Sequence, residues 1–210
     1  PLKQGVDFFP LTVDYREKGY ACGMIFGGRF SKREGRPTDK ETLTMRLIDR
    51  PVRPLWPAGY ARDVLIQASV LSAEPDIDPD ILAMIASSAA LAISNLPFLG
   101  PLGAVRVGII DGQFKVNPSF TELEKSKLEV VVAGTANAVL MVEAGATEAS
   151  EDEMIGAIEF GHAIVKTLVE MQEELVSKVQ PKKDPYIPEL IHPITEELVK
   201  KHLDDAKRAA

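Results

Sequence analysis

Cysteine is nearly missing from this chain. Cys22 stands alone among 210 residues, so no disulfide can form between any two of them, and the expected setting is a reducing one, the cytoplasm first of all. Long apolar runs are missing as well. The best of them, Ile81 to Ile93, is interrupted by Ser87 and Ser88 and falls short of the roughly 18 residues of a membrane span, so it reads as a buried helix and no membrane partner is expected. The opening residues do not show the basic, apolar, small-residue order of a secretory leader. Histidine is scarce: His162, His192 and His202 have no spacing that would bring three ligands together, and no metal site is expected. A Walker loop and a dinucleotide fingerprint are both lacking. Ser87 and Ser88 have no candidate base beside them, and the carboxylates are plentiful but scattered. No catalytic residue is assigned.

What remains is an ordinary globular balance, 45% hydrophobic and 26% charged, enough to bury a core. The net charge of −7 argues at first against a polyanionic partner, but the charge is unevenly distributed. From Arg29 to Arg62 nine basic residues face four acidic ones, while the rest of the chain carries 15 basic against 27 acidic. A cationic stretch on an acidic body suits binding to a phosphate backbone. Pairing of individual arginines with body carboxylates is the structural alternative.

Along the chain, Val6–Tyr15 is read as a strand, with Tyr20–Ile25 as its continuation or partner. Thr38 with Glu41 has capping-box spacing and predicts a helix to about Arg50, stopped by Pro51 and Pro54. Val64–Ala73 is a strand; Asp78-Pro79 is read as N-cap and first helical residue of a helix to Ser94, with a small-residue stripe of Ala83, Ala86, Ser87 and Ala90 facing a sheet. Ala104–Ile110 and Phe114–Asn117 flank Asp111-Gly112, a hairpin signal. Ser119 with Glu122 predicts one helical turn; Leu128–Ala133 and Ala138–Glu143 are strands around the turn Gly134–Asn137. Ser150 with Glu153 opens a long helix to about Lys178, Pro181–Pro188 is a linker, and a last amphipathic helix starts near Thr195. The fold class is α+β, helices on mixed sheet, then a partial all-α segment, with both ends expected to continue beyond the sequence given.

The segment Gly27–Pro37, GGRFSKREGRP, combines a glycine-loosened backbone with Lys32, Arg33 and Arg36, whose cations suit phosphate oxygens, and with Phe30, which can stack on a base. On the helix that follows, Arg46 and Arg50 share one face while Leu43 and Leu47 share another, which predicts that both leucines are core. Arg53 completes a candidate phosphate-binding set with Arg46 and Arg50.

The stretches VDFFPLTVDYREK, KREGRP, RLIDRPVRPLWPAGY, SAEPDIDPDILAMIASSAAL, GPLGAVRVG and VVAGTANAVLMVEAGA together resemble the polynucleotide phosphorylase family. They follow its order through almost the whole chain, and RLIDRPVRP is highly specific. The match is to the first of that family's two ribonuclease PH-like cores (ribosomal S5 domain 2-like), here 1–148 without its N-terminal strands. A closing helix at 149–180 and the linker and start of the all-helical domain at 181–210 follow. The resemblance implies a homotrimeric ring that degrades single-stranded RNA from its 3′ end by phosphate attack. Such enzymes release nucleoside diphosphates with the help of magnesium, run in reverse as polymerases, and join RNA-degradation complexes. It further implies C-terminal modules of the KH and S1 types, chemistry in the second core, and RNA guidance at the channel entrance by the first. Magnesium is expected in the intact enzyme and not on this segment.

Carried over by position, Phe30, Lys32, Arg33 and Arg36 correspond to the family's channel loop, with Ser31 in place of a second apolar residue and Arg29 as an insertion. An active core places an aspartate six residues before an Asp-x-Lys that runs into a strand ending Val-Ala-Gly-Thr. Here the ending is Val132–Thr135, and Leu123, Glu129 and Val131 stand at the aspartate, aspartate and lysine positions. Leucine cannot ligate a metal and valine offers no cation, so this core is expected to be degenerate. Residual phosphorolysis by this core, and a purely structural ring scaffold, are the alternatives.

Overall fold

A computed structural model describes residues 8–24, 35–186 and 193–208. Strand β1 (Leu11–Glu17) leads through a 3-10 turn at Gly19–Cys22 toward helix α1 (Asp39–Val52). The chain then returns as β2 (Val64–Val70), which pairs parallel with β1 from Leu11↔Val64 to Glu17↔Val70. A crossover helix is what a parallel pair requires, and α1 supplies it. Helix α2 (Asp80–Ile93) follows. A second sheet has the order β4-β3-β5-β6, formed by β3 (Gly103–Ile110), β4 (Gln113–Val116), β5 (Leu128–Gly134) and β6 (Val139–Ala146), all antiparallel. The single-turn α3 (Phe120–Leu123) lies between β4 and β5, and the long α4 (Glu151–Val179) and α5 (Pro193–Arg208) complete the chain. The α+β reading of the sequence stands.

Two apolar clusters hold these elements. One gathers Tyr15, Ile48, Val52, Val64, Ile66 and Met84 from β1, α1, β2 and α2 with Trp56 from the connection after α1, and it reaches Ala104, Val131 and Ala133 on the near face of the second sheet. The other places Val105, Val107, Val130 and Val132 on the far face, against Ala157, Val165 and Val169 of α4. Strands β3 and β5 are therefore buried on both faces, and their continuous apolar runs reflect this. Gly103 lets α4 come close: a Cβ there would lie 2.8 Å from the carbonyl oxygen of Val165.

All three capping boxes form, at Thr38–Glu41, Ser119–Glu122 and Ser150–Glu153. Asp111 and Gly112 both take positive φ, 51° and 76°, the pair of values that a two-residue hairpin turn demands. Elsewhere the structure departs from the sequence reading. Within Tyr20–Ile25, residues 20–24 are no strand: Gly23, at φ 73°, closes the turn by donating its N–H to Tyr20, and Met24 donates to Gly19. Helix α1 runs past Arg50 to include Pro51, because Val52 beyond it is buried in the first cluster. Leu43 is exposed while Leu47 is buried, so only one of the two leucines is core. Ala86 and Ala90 of the small-residue stripe are exposed beside β2. Residues 181–186 lie against the first cluster: Asp184 exchanges backbone and side-chain hydrogen bonds with Asn95, Lys183 donates to Leu91 O, and the Tyr186 hydroxyl donates to Gly59 O.

Candidate functional site

Of the channel-loop residues, Phe30, Lys32 and Arg33 lie outside the described residues, and Arg36 is exposed two residues before the α1 N-cap. The three helix-borne arginines are in different situations. Arg46 is exposed and makes no ion pair or side-chain hydrogen bond among the described residues. Arg50 reaches Glu143 on β6 at 2.9 Å, both side chains about half exposed. Arg53 is committed to the fold. It donates to both Asp49 carboxylate oxygens at 2.6 and 3.0 Å and to the carbonyls of Phe9 and Leu11, and it lies 5.7 Å from the centre of the Phe9 ring.

Beside the buried face of α1 lies a cleft of about 500 Å³. Lys40, Leu43 and Leu47 line it from α1, Asp78 and Asp80 from the start of α2, Arg106 from β3, Glu129 and Val131 from β5, and Glu143 from β6. Glu129 and Val131, which the resemblance sets against the acid and the lysine of an active core, both line this cleft. Leu123, at the third such position, ends α3.

Arg106 was not singled out in the sequence, yet it organises the cleft floor. It is 8% exposed. Its Nη2 donates to Asp80 Oδ2, and its Nη1 lies 3.0 Å from Glu129 Oε1 and 3.5 Å from Asp78 Oδ2. Asn117 fixes the strand at this point, accepting the Arg106 N–H through Oδ1 and donating its own N–H to Arg106 O. Asp80 is 4% exposed. Burial pushes its carboxyl up to about 6, against the pull of Arg106 and with the help of nearby Asp78. Lys40 faces the same group from α1, 3.2 Å from Asp78 and 3.0 Å from Glu17.

This cluster explains a departure at α2. Asp78 is no formal N-cap; the helix is capped by Pro79 with no side-chain cap bond, and Asp78 meets the Asp80 N–H at only 3.3 Å. Its carboxylate is drawn toward Lys40 and Arg106 instead. One signal could have found Arg106, a lone arginine inside the otherwise apolar run Ala104–Ile110, since a charge within a buried strand needs partners. Ser88, by contrast, is structural, its Oγ accepting the Leu102 N–H. His162 is likewise structural, its Nε2 lying 3.0 Å from Thr135 O.

Carboxylates suited to a divalent ion are present in this cleft, but the residues do not fit one. Arg106 stands between Asp78, Asp80 and Glu129, and a second cation at that spot would meet its full charge. Among the described residues no helix is long and apolar enough to cross a membrane.

The architecture has relatives. Domain 1 of the 3' exoribonuclease family matches residues 1–97, and domain 2 matches residues 100–164. The polyribonucleotide nucleotidyltransferase of Staphylococcus saprophyticus is 56% identical over 182 residues, 87% of this chain and 26% of that protein. That of Geobacter sulfurreducens is 58% identical over 173 residues, 82% of this chain and 25% of that protein. The chain thus spans about a quarter of the length of these relatives. Rrp46 of rice (Oryza sativa) shares the fold at a TM-score of 0.62, with 14% identity, over 83% of this chain and 77% of that one. With the two domain matches adjoining along the chain, and with identities above one half to polyribonucleotide nucleotidyltransferases, this chain belongs to the 3' exoribonuclease family.

Proposed function

We propose that the chain is the RNA-guiding, non-cleaving core of a phosphorolytic 3′-to-5′ exoribonuclease of the polyribonucleotide nucleotidyltransferase type. The observation that carries this reading is Val131. It stands in the cleft at the position of the lysine of an active core, 5% exposed, where its side chain offers no charge to an attacking phosphate. Phe30, Lys32, Arg33 and Arg36 hold single-stranded RNA at the channel entrance by stacking and by contacts to its phosphates. Arg46 adds a cation from α1, and Arg50 joins it by releasing Glu143; Arg53, tied to Asp49 and β1, sets the helix end rather than the ligand. In the intact enzyme a homotrimeric ring, a second core with magnesium, phosphate and nucleoside diphosphates, and partners in an RNA-degradation complex in the cytoplasm complete the function.

The test is direct. Incubating the rigorously purified chain with magnesium, phosphate and poly(A) is expected to release no ADP while a gel shift detects bound RNA. ADP release by the native chain that survives purification and is lost in an Arg106→Ala variant would assign phosphorolysis to this core and sink the proposal.

A further inference from the structure

We propose that the open edge of β2 is a docking site for an extended polypeptide segment, uncharged and apolar at alternate positions, which adds to the sheet as a further strand. The groove along this edge shares no lining residue with the cleft around Arg106, and its occupant does not depend on whether this core cleaves.

The two edges of the β1–β2 sheet differ. Val64 donates to Pro10 O in the parallel ladder, so Leu65, Gln67 and Ser69 turn their backbone groups away from β1. On the outer side of β1 such groups are taken: Arg53 donates to Phe9 O and Leu11 O, and the Glu17 N–H goes to Glu41. On the outer side of β2 no strand pairs among the described residues. Folded proteins blunt an open edge with lysine, proline or a bulge, and β2, VLIQASV, has none of these. An edge without such guards is one built to be covered.

A groove of about 610 Å³ runs along it, walled by β2 and by Leu82, Ala83, Ala86 and Ala90 of α2. None of its lining residues is charged, in a chain where 26% are, so it offers nothing to RNA phosphates. Ser87 supplies an independent sign. It is 5% exposed, it lines the groove, and its Oγ has no hydrogen-bond partner, although a helical serine can donate to the carbonyl one turn back. A buried hydroxyl left this way has a place for a partner from the groove's occupant. The backbone pattern selects the kind of occupant. A helix has satisfied its own backbone groups and would bury those of β2 unpaired, as would an apolar small molecule. A strand pairs with them at every second residue. A second copy would bring its own α2 to the same edge, and paired strands lie about 4.8 Å apart whereas helix axes need about 8–10 Å. A strand without a helix of its own fits.

The probe is a fluorescein-labelled peptide of alternating threonine and valine, capped at both ends and seven residues long like β2, titrated with the native chain by anisotropy. Saturable binding is expected. At saturation, hydrogen exchange read by NMR is expected to slow at the Leu65, Gln67 and Ser69 amides, while those of Ile66 and Ala68, already in the ladder with β1, change little. Methylating the peptide's backbone nitrogens removes its donors and keeps its side chains, and is expected to weaken binding about tenfold or more. Ala86→Glu, at an exposed position of α2, is expected to weaken it by a similar factor with Tm unchanged; if that variant does not fold, the methylated peptide decides. Absence of binding overturns the proposal, as does equal affinity for the methylated peptide, or binding that leaves the three edge amides exchanging as in the free chain. A dimer in sedimentation velocity that Ala86→Glu disperses would put a second copy on this edge and overturn it too.

Discussion

Two acidic side chains show how burial sets the behaviour of single residues in this protein. Glu41, 5% exposed, caps α1 by accepting the Thr38 N–H at 2.6 Å, and its other oxygen accepts the Glu17 N–H at 2.8 Å, stitching β1 to the helix. Burial pulls its carboxyl upward, but these backbone donors win and hold it below the ordinary value. The cap was legible from the Thr38–Glu41 spacing; the stitch to Glu17 was not, because nothing local links residues 24 positions apart. Glu41→Ala is expected to cost about 2 kcal/mol by losing both, read as a lower midpoint in a urea melt followed by circular dichroism. Asp80 behaves in the opposite sense. Its carboxyl moves from an ordinary 3.8 to about 6 in the fold. Between those values the folded chain holds a proton that the unfolded chain has released. The contribution of Asp80 to stability therefore grows as pH falls from 7 through 6 toward 4, and shrinks as pH rises. Glu41, Asp76, Glu122 and Glu153, all held low, work the other way and lose their contribution in acid. Their effect cancels when the native chain is compared with Asp80→Asn. The difference in Tm is expected to shift in favour of the native chain from pH 7 to pH 4; a flat difference would show that Asp80 titrates at its ordinary value, and a reversed one that it titrates below it.

At the scale of elements, legibility followed locality. Helix starts at Asp39, Phe120 and Glu151 each depend on a pair of side chains bonding within three residues, and the sequence pattern named all three. The Asp111-Gly112 hairpin is equally local. The failures share a distant cause. The start of α2 was displaced because its acids answer to Arg106 on β3, 26 residues away. The end of α1 was carried past Pro51 because Val52 had a core to join. The stretch after β1 turned rather than extended because Ala21 is buried there and its carbonyl accepts the Ala73 N–H from beyond β2. Packing of α4 on β3 leaves little slack at Gly103. A methyl at Gly103 would sit 2.8 Å from a backbone carbonyl oxygen of α4 and 3.1 Å from the Leu168 Cβ, and backbone cannot rotate away. Gly103→Ala is therefore expected to destabilise the chain by about 1–3 kcal/mol, a drop in Tm of roughly 2–4 °C per kcal/mol for a domain of this size. A neutral result would mean that the whole helix slides at little cost.

For the molecule as a whole, the division of charge matters more than its sum. The body is acidic and repels a polyanion at long range, so on the proposed reading the contacts to RNA fall to the cationic stretch that runs from Arg29 into α1. Sequence alone revealed the stretch but could not sort its members, since pairing is decided by what folding brings near. Arg53 is consumed by Asp49 and two carbonyls, Arg50 is half engaged by Glu143, and Arg46 has no partner among the described residues. Binding to single strands releases counterions, and the slope of log affinity against log salt is roughly −0.7 per phosphate contact. Replacing Lys32, Arg33 and Arg36 together with alanine is expected to make that slope shallower by about 2, with lower affinity for poly(A) and poly(U) alike, because phosphates carry no sequence. Arg46→Ala is expected to shift the slope by a further fraction of one contact, and Arg53→Ala to lower Tm while leaving the slope in place. Phe30→Ala should lower affinity at every salt concentration with the slope unchanged, as a stacking contact releases no ions. Fluorescence anisotropy of a labelled oligonucleotide from low to moderate salt separates these outcomes. If the triple variant kept both the native affinity and the native slope, the cations would be paired within the protein, and the ring-scaffold reading would replace RNA guidance.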